Sequence, residues 1–243
     1  MFIGLRVSSL FVSAPFLSSA SIPTPVKAAL VTAITFVLYP VCRPGAVEPG
    51  TVGWVGIVSG EIVIGLLLGL AVQLVVEGAQ VAGQLLGVQA GYSLVTLLDP
   101  QTQADLPVLS TFNQLLAVLI FLQLDVHHWL LRGLAASFAY LPPGAGLAKL
   151  TTGATLLQAA GGIWLAGVQL AAPVLVATLL VDITLGFVSK ASPQMPVLFV
   201  GLSFKTLLSL LVFGGTLVFW PKSLERQFAA GISFGERLLH LSR

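Results

Sequence analysis

Between Lys149 and Asp182 the chain carries no charged residue, and this apolar run constrains what it can fold into more than any other feature. It exceeds the roughly 20 mostly apolar residues that a helix needs to cross the hydrocarbon core of a bilayer. The rest of the chain points the same way. Of its 243 residues, 56% are hydrophobic and 8% charged, with a mean hydropathy of +1.00, whereas a soluble domain carries roughly a quarter charged residues. So few charges cannot cover a water-facing surface. The expected fold is an all-α membrane protein whose surroundings are lipid or other apolar helices.

Apolar windows lie near residues 2–18, 26–42, 54–76, 106–124, 155–188 and 197–220, which gives about six candidate crossings. Their breaks have chemical causes: Pro23 and Pro25 part the first from the second, Pro40, Pro44, Pro49 and Gly50 end the second, and Pro142 and Pro143 precede a glycine-rich turn. Two stretches depart from a simple span. The run from Lys149 to Asp182 is long for one crossing and contains Gly161, Gly162 and Pro173. Proline lacks the backbone donor and clashes with the preceding turn, which predicts a kinked helix or a re-entrant pair there. Residues 81–98 interleave Gln84, Gln89, Tyr92, Ser93 and Thr96 with apolar positions, as expected of a segment buried in protein instead of lipid.

The first residues, with Arg6, an apolar run and small residues, share features with a secretory signal. An ordinary first span explains them as well, because apolar sequence continues directly beyond. No repeat of 20–50 residues stands out. The chain reads as one helical membrane domain over residues 1–221 and an amphipathic tail over 222–243. In that tail Leu224, Phe228 and Ile232 recur at helical spacing among Lys222, Glu225, Arg226, Glu236 and Arg237, as in a surface helix; a frayed polar end fits the same residues. Lys222, Arg226, Arg237 and Arg243 make the tail cationic, which favours a cytoplasmic C-terminus.

Composition also excludes. The net charge of +2 is scattered, with no basic block to neutralise phosphates, so nucleic acid is not an expected partner. The lone Cys42 rules out an internal disulfide and a cysteine metal cluster. His127 and His128 are adjacent and should diverge on a helix, and His240 lies in the tail. These three do not make a zinc motif, and beside Trp129 the pair fits an interfacial anchor. There is no nucleophile elbow, P-loop or dinucleotide fingerprint. No catalytic residue, metal ligand or cofactor is expected.

Polar residues within apolar sequence are the remaining candidates. Gln73, Glu77, Gln80 and Gln84 are offset by four, three and four, which sets them along one helix stripe. Such a stripe hydrogen-bonds to a neighbouring helix or lines a wet path, the first being the commoner use. Gly83, Gly87 and Gly91 repeat at four-residue spacing, as do Gly65 and Gly69, a pattern that lets helix backbones approach closely. The combination suggests tight packing between helices or subunits. Glu61, Glu77, Asp182 and Lys205 are intramembrane charge candidates, either as an ion relay or as structural pairs near a boundary.

Several strings align collinearly with one family. LRVSSLF followed by SIPTPVK, then IGLLLGLAVQLVVEGAQVAGQLLGVQAGYSLVTLLDPQ, DLPVLSTFNQLLAVLIFL and ASPQMPVLFVGLSFK resemble the FliR family of flagellar export proteins, whose injectisome relatives are the SctT proteins. The resemblance spans nearly the whole chain. It implies a fold like a FliP and a FliQ joined, a helical hairpin assembly that spirals with FliP-like and FliQ-like subunits around a pore. It further implies docking to FlhA-like and FlhB-like export proteins, passage of unfolded exported substrates, and residence in the bacterial inner membrane within the flagellar basal body.

The family's plug loop falls on residues 90–106, which assigns the pore gate to Tyr92, Leu94, Leu97, Asp99 and Pro100. An apolar constriction of that kind shuts a pore by excluding water. Related sequences often carry aromatics where this one has Leu94 and Leu97, which predicts a less bulky seal. Asp99 and Pro100 also form a good turn pair. The chain begins close to the family's Leu-Arg-Val string, so the expectation is a short first helix or a start codon placed too late.

The leading expectation is thus a non-enzymatic subunit of the flagellar type III export gate, with the injectisome version as its close alternative. A stand-alone proton-coupled transporter using Glu61, Glu77 or Asp182, with the break at Pro173 as its midplane site, is the alternative from another class. It calls for inverted repeats, which the sequence does not display. An intramembrane hydrolase lacks any paired nucleophile and base.

Overall fold

The computed structural model describes residues 1–19, 22–40, 51–91, 108–143, 153–191 and 197–241. Among these the regular structure is helical: α1 (Phe2–Ser13), α2 (Thr24–Leu38), α3 (Thr51–Gln89), α4 (Val108–Gln123), α5 (Val126–Tyr140), α6 (Gly153–Ala191), α7 (Val197–Thr216), a 3-10 turn (Leu217–Phe219) and α8 (Trp220–Leu241). The fold class is the expected one. All six apolar windows become helices, but α1 and α2 run to only 12 and 15 residues. Among the described residues, three helical stretches are long and apolar enough to cross a bilayer singly: Trp54–Gln89, Leu165–Ala191 and Gly201–Ser233, the last running through α7, the 3-10 turn and part of α8. A fourth crossing arises if α4 and α5, bent by 66° at their junction, count as one broken span.

Local chemistry sets several ends. α2 starts at Thr24 with proline in its first turn, where the missing N–H would have had no helical partner. α3 ends on Gly91, whose φ of 84° is a left-handed cap open to glycine at little cost. Of the two forms expected at Pro173, a re-entrant pair is not the one adopted: α6 runs as one helix from Gly153 to Ala191 with Pro173 inside it. Both α3 and α6 have 39 residues, about 58 Å at 1.5 Å per residue, well beyond a hydrocarbon core of about 30 Å.

The chain divides into two compact units: residues 1–76, 121–161 and 225–243, and residues 77–120 and 162–224. In the first unit α1 lies against α3 across Gly65 and Gly69. A methyl group at Gly65 would overlap Ser9 Oγ and the Arg6 carbonyl, and one at Gly69 would overlap Ser13 Oγ. Each glycine thus meets a serine at the same four-residue spacing, and the absent side chains let the two backbones touch. α8 belongs to the same core: Phe228 is fully buried with its ring 5.7 Å from that of Phe121, and Gly231 sits on the Ala71 carbonyl of α3. In α8 Leu224 and Phe228 share the buried side, and the chain itself covers it.

In the second unit Gly83 is buried against Leu109 and Ser110 at the start of α4. Gly167 of α6 approaches the Gly78 carbonyl and Val81, and Gly201 of α7 approaches Leu185. Much of the remaining apolar surface is uncovered. Only 22% of the most apolar stretch of Leu165–Ala191 is buried, and 11% of that of Gly201–Ser233, against 50% for Trp54–Gln89. Leu179, Ile183, Phe187, Leu207, Leu211 and Phe219 are all exposed. Water is an unfavourable solvent for such faces, so they call for lipid or partner helices.

Candidate functional site

The charged groups are the natural place to look for chemistry, and the structure pairs the two strongest candidates. Glu61 is held by Arg6: Nε donates to Oε2 at 2.6 Å, with the side chains 2% and 0% exposed. The other guanidinium nitrogens are also used. Nη1 donates to Ser137 Oγ at 3.0 Å and Nη2 to the Leu141 carbonyl at 3.1 Å, while the guanidinium carbon lies 4.2 Å from the centre of the Phe138 ring. One arginine from α1 thereby joins α3 to the end of α5. Burial of two charges is tolerable only with this degree of pairing and hydrogen bonding. Arg6 was not among the expected site residues. Its signal was available as an isolated cation within an apolar opening, a residue that must find a partner.

Asp182 and Lys205 form the second pair. Lys205 Nζ donates to both carboxylate oxygens at 2.8 Å, and Gln89 Nε2 reaches Oδ2 at 3.4 Å. This bridge links α6 to α7 and is more open, with side chains 47% and 16% exposed. Glu61 and Asp182 are both held in ion pairs, which leaves neither as an isolated intramembrane carboxylate.

The glutamine stripe on α3 varies in exposure along its length. Gln73, Glu77 and Gln80 are half-buried, and Gln84 is exposed. The glycine series divides too: Gly83 receives α4, Gly87 has open space where a Cβ would point, and Gly91 is the left-handed cap. Tyr92, Leu94, Leu97, Asp99 and Pro100 lie outside the described residues, as do the plug-loop positions up to residue 106. Asn113 of α4 was not singled out in the sequence. It is completely buried, and neither of its amide atoms finds a partner among the described residues.

Several hydroxyls of the described helices are already spent within their own helix. Ser8, Ser9, Thr32, Thr35, Thr178 and Thr184 each donate to a carbonyl three or four residues earlier, the self-satisfied state that suits a hydroxyl in an apolar helix. An apolar groove of about 280 Å³ between α6 and α7 is lined by Leu180, Val181, Leu185, Phe204 and Leu208, with Thr184 its hydroxyl residue. That hydroxyl is spent on the Leu180 carbonyl at 2.8 Å. The groove has the chemistry of an acyl-chain or helix contact and not of a reaction site. At the α4–α5 bend, however, Asp125, His127 and His128 converge, although adjacent histidines were expected to diverge.

These observations define a class: an all-helical membrane protein whose intramembrane charges lock helices together and whose outer helices lack a protein covering. Comparison with known proteins gives the family. Residues 1–231 match bacterial export proteins, family 1, and the chain belongs to that family. It is 32% identical over 197 residues to the flagellar biosynthetic protein FliR of Escherichia coli, covering 81% of this chain and 76% of that protein. The FliR of Pectobacterium carotovorum is 30% identical over 225 residues, 93% and 86% of the two chains. That of Bacillus subtilis is 28% identical over 217 residues, 86% and 82% respectively.

Proposed function

We propose that this chain is a subunit of the flagellar type III protein export gate in the bacterial inner membrane, at the flagellar basal body. In this reading it forms part of the pore through which unfolded flagellar subunits cross, in a complex with FliP-like and FliQ-like subunits and in contact with FlhA-like and FlhB-like export proteins. The observation that carries the proposal is the family match over residues 1–231, together with relatives named as flagellar biosynthetic proteins. The uncovered apolar faces of α2, α6 and α7 support it, since a chain that assembles with other membrane helices needs such surfaces. On α3, Gln84 and Gly87 are the members of the packing stripe left outward for a neighbour.

Its role is structural and conductive, not enzymatic. The pairing of Glu61 with Arg6 and of Asp182 with Lys205 supports this reading over a proton-coupled transporter, since it gives two of that reading's three candidate carboxylates, Glu61, Glu77 and Asp182, a structural partner. The gate is assigned to Tyr92, Leu94, Leu97, Asp99 and Pro100, where apolar side chains exclude water until a substrate chain displaces them.

Co-expression with the cognate FliP-like and FliQ-like chains, followed by purification in mild detergent and mass determination, tests the assembly. A stable hetero-oligomer is expected. Recovery of this chain alone, with both partners expressed, would overturn the proposal. Replacing Leu94 and Leu97 with glycine in that complex should raise ion leak across the membrane, measured as growth sensitivity or vesicle conductance; an unchanged leak removes both from the gate.

A further inference from the structure

The bend between α4 and α5 gathers three metal-ligating side chains. Asp125 occupies the N-cap of α5 with φ 54° and ψ 28°, a left-handed conformation that aspartate tolerates better than most residues. Its carboxylate does not cap the helix, although the first-turn N–H groups are within its sequence reach. It turns instead toward the histidines, with Oδ1 3.3 Å from His128 Nδ1 and 3.8 Å from His127 Nε2. The two imidazole rings lie 4.1 Å apart, tilted by 38°. In mid-helix, neighbours point about 100° apart; here, in the first turn of α5, the two rings nonetheless lie side by side.

One donor atom from each residue falls within 4.8 Å of the others. A tetrahedral zinc site with metal–ligand distances of about 2.0–2.1 Å needs donor atoms about 3.3 Å apart, a closure that side-chain rotation of exposed groups supplies. His128 is 59% and Asp125 66% exposed, so a hydrated ion has access. Two imidazoles and one carboxylate suit zinc, cobalt or nickel, whereas magnesium and calcium prefer all-oxygen sites. The positive end of the α5 dipole opposes a cation, and the Asp125 carboxylate offsets it.

We propose that Asp125, His127 and His128 bind one divalent transition-metal ion of the zinc class. Water completes the coordination, and the ion ties the left-handed residue to the first turn of α5, bracing the 66° bend. The site is independent of the export-gate reading and rests on the convergence of these three side chains.

The test uses the full chain in mild detergent with any affinity tag removed, titrated with Co²⁺ and followed by its visible d–d absorption, then displaced with Zn²⁺. One Co²⁺ per chain is expected, displaced stoichiometrically by zinc. Outer-shell changes alone cost about 10–100-fold in metal affinity, so D125N and H128Q should each weaken binding at least about tenfold. Asparagine keeps the left-handed tolerance and His128 is exposed, so both variants should retain the parent's circular dichroism. A variant that does not is replaced by H127Q as the second ligand removal. C42A and H240A should bind as the parent does. Absence of saturable binding, unchanged affinity in the ligand variants, or loss of binding in H240A would each overturn the proposal, leaving an imidazole–carboxylate hydrogen-bond cluster only.

Discussion

Arg6 and Glu61, separated by 55 positions in the chain, meet at 2.6 Å with both side chains removed from solvent. The pair fastens α1 to α3 where the backbones already touch across Gly65, whose missing side chain admits the Arg6 carbonyl itself. Close approach and charge pairing therefore occur at the same level of the helix pair. The glycine brings the backbone in, and the arginine extends from that point to Glu61, Ser137 and the Leu141 carbonyl.

Removing one partner of this pair strands a buried charge. R6M or E61L alone should lower stability by about 3–5 kcal/mol, while the double variant R6M/E61L should recover most of the loss. Thermal unfolding of the four proteins in one detergent gives the coupling directly. A loss in the double variant equal to the sum of the two single losses would mean that the pair contributes nothing as a pair.

The glycines should respond according to what each meets. G65A forces a methyl into the Arg6 backbone, which cannot rotate away, and should cost about 1–3 kcal/mol. G87A meets nothing and should be neutral, or stabilise the isolated chain by about 0.5–1 kcal/mol. If Gly87 faces a neighbouring subunit, as proposed, G87L will leave that chain folded while reducing recovery of FliP-like and FliQ-like partners. Full recovery of the complex would remove Gly87 from the interface.

Phe228 should matter far more than an ordinary tail residue. It is fully buried against Phe121, so F228A should cost about 3–5 kcal/mol. By contrast, R226A in the exposed face of the same helix should change stability by less than about 0.5 kcal/mol. Similar melting temperatures for the two variants would show that α8 does not belong to the core.

The Asp182–Lys205 bridge is partly open, and screening reduces what it contributes. K205A should cost roughly 1 kcal/mol or less in detergent, and the charge-swapped D182K/K205D should restore the contact. Growth assays of flagellar motility in cells lacking the native gene provide the functional readout. Motility lost in K205A and regained in the swap would make the pairing, and not either residue alone, the requirement.

Much of this architecture is legible without coordinates. The apolar windows become helices because a backbone in lipid must satisfy its own polar groups, and a helix does so within one segment. Proline placement located the start of α2, and the four-residue recurrence of Gly65 and Gly69 announced a close helix contact. Pro173 left two forms open, and the chain took the single helix: buried at Ala171 and Val174, α6 runs on past one missing donor. The adjacent histidines misled: successive helix residues diverge at the backbone, but the side chains bring these two rings to 4.1 Å.

By itself, the sequence determined the solvent, the helical class and the family, because hydropathy, backbone satisfaction and collinear strings are properties of the chain read in order. Only the tertiary structure decided which charges neutralise one another, which glycines receive a helix and which stay open, and that Asp125, His127 and His128 share a point in space. Those depend on the packing of side chains far apart in sequence, or on how neighbouring side chains turn, and no local pattern specifies either. Arg6 and Glu61 illustrate the division: each residue alone announces a need for a partner, and the packing of α1 on α3 supplies it.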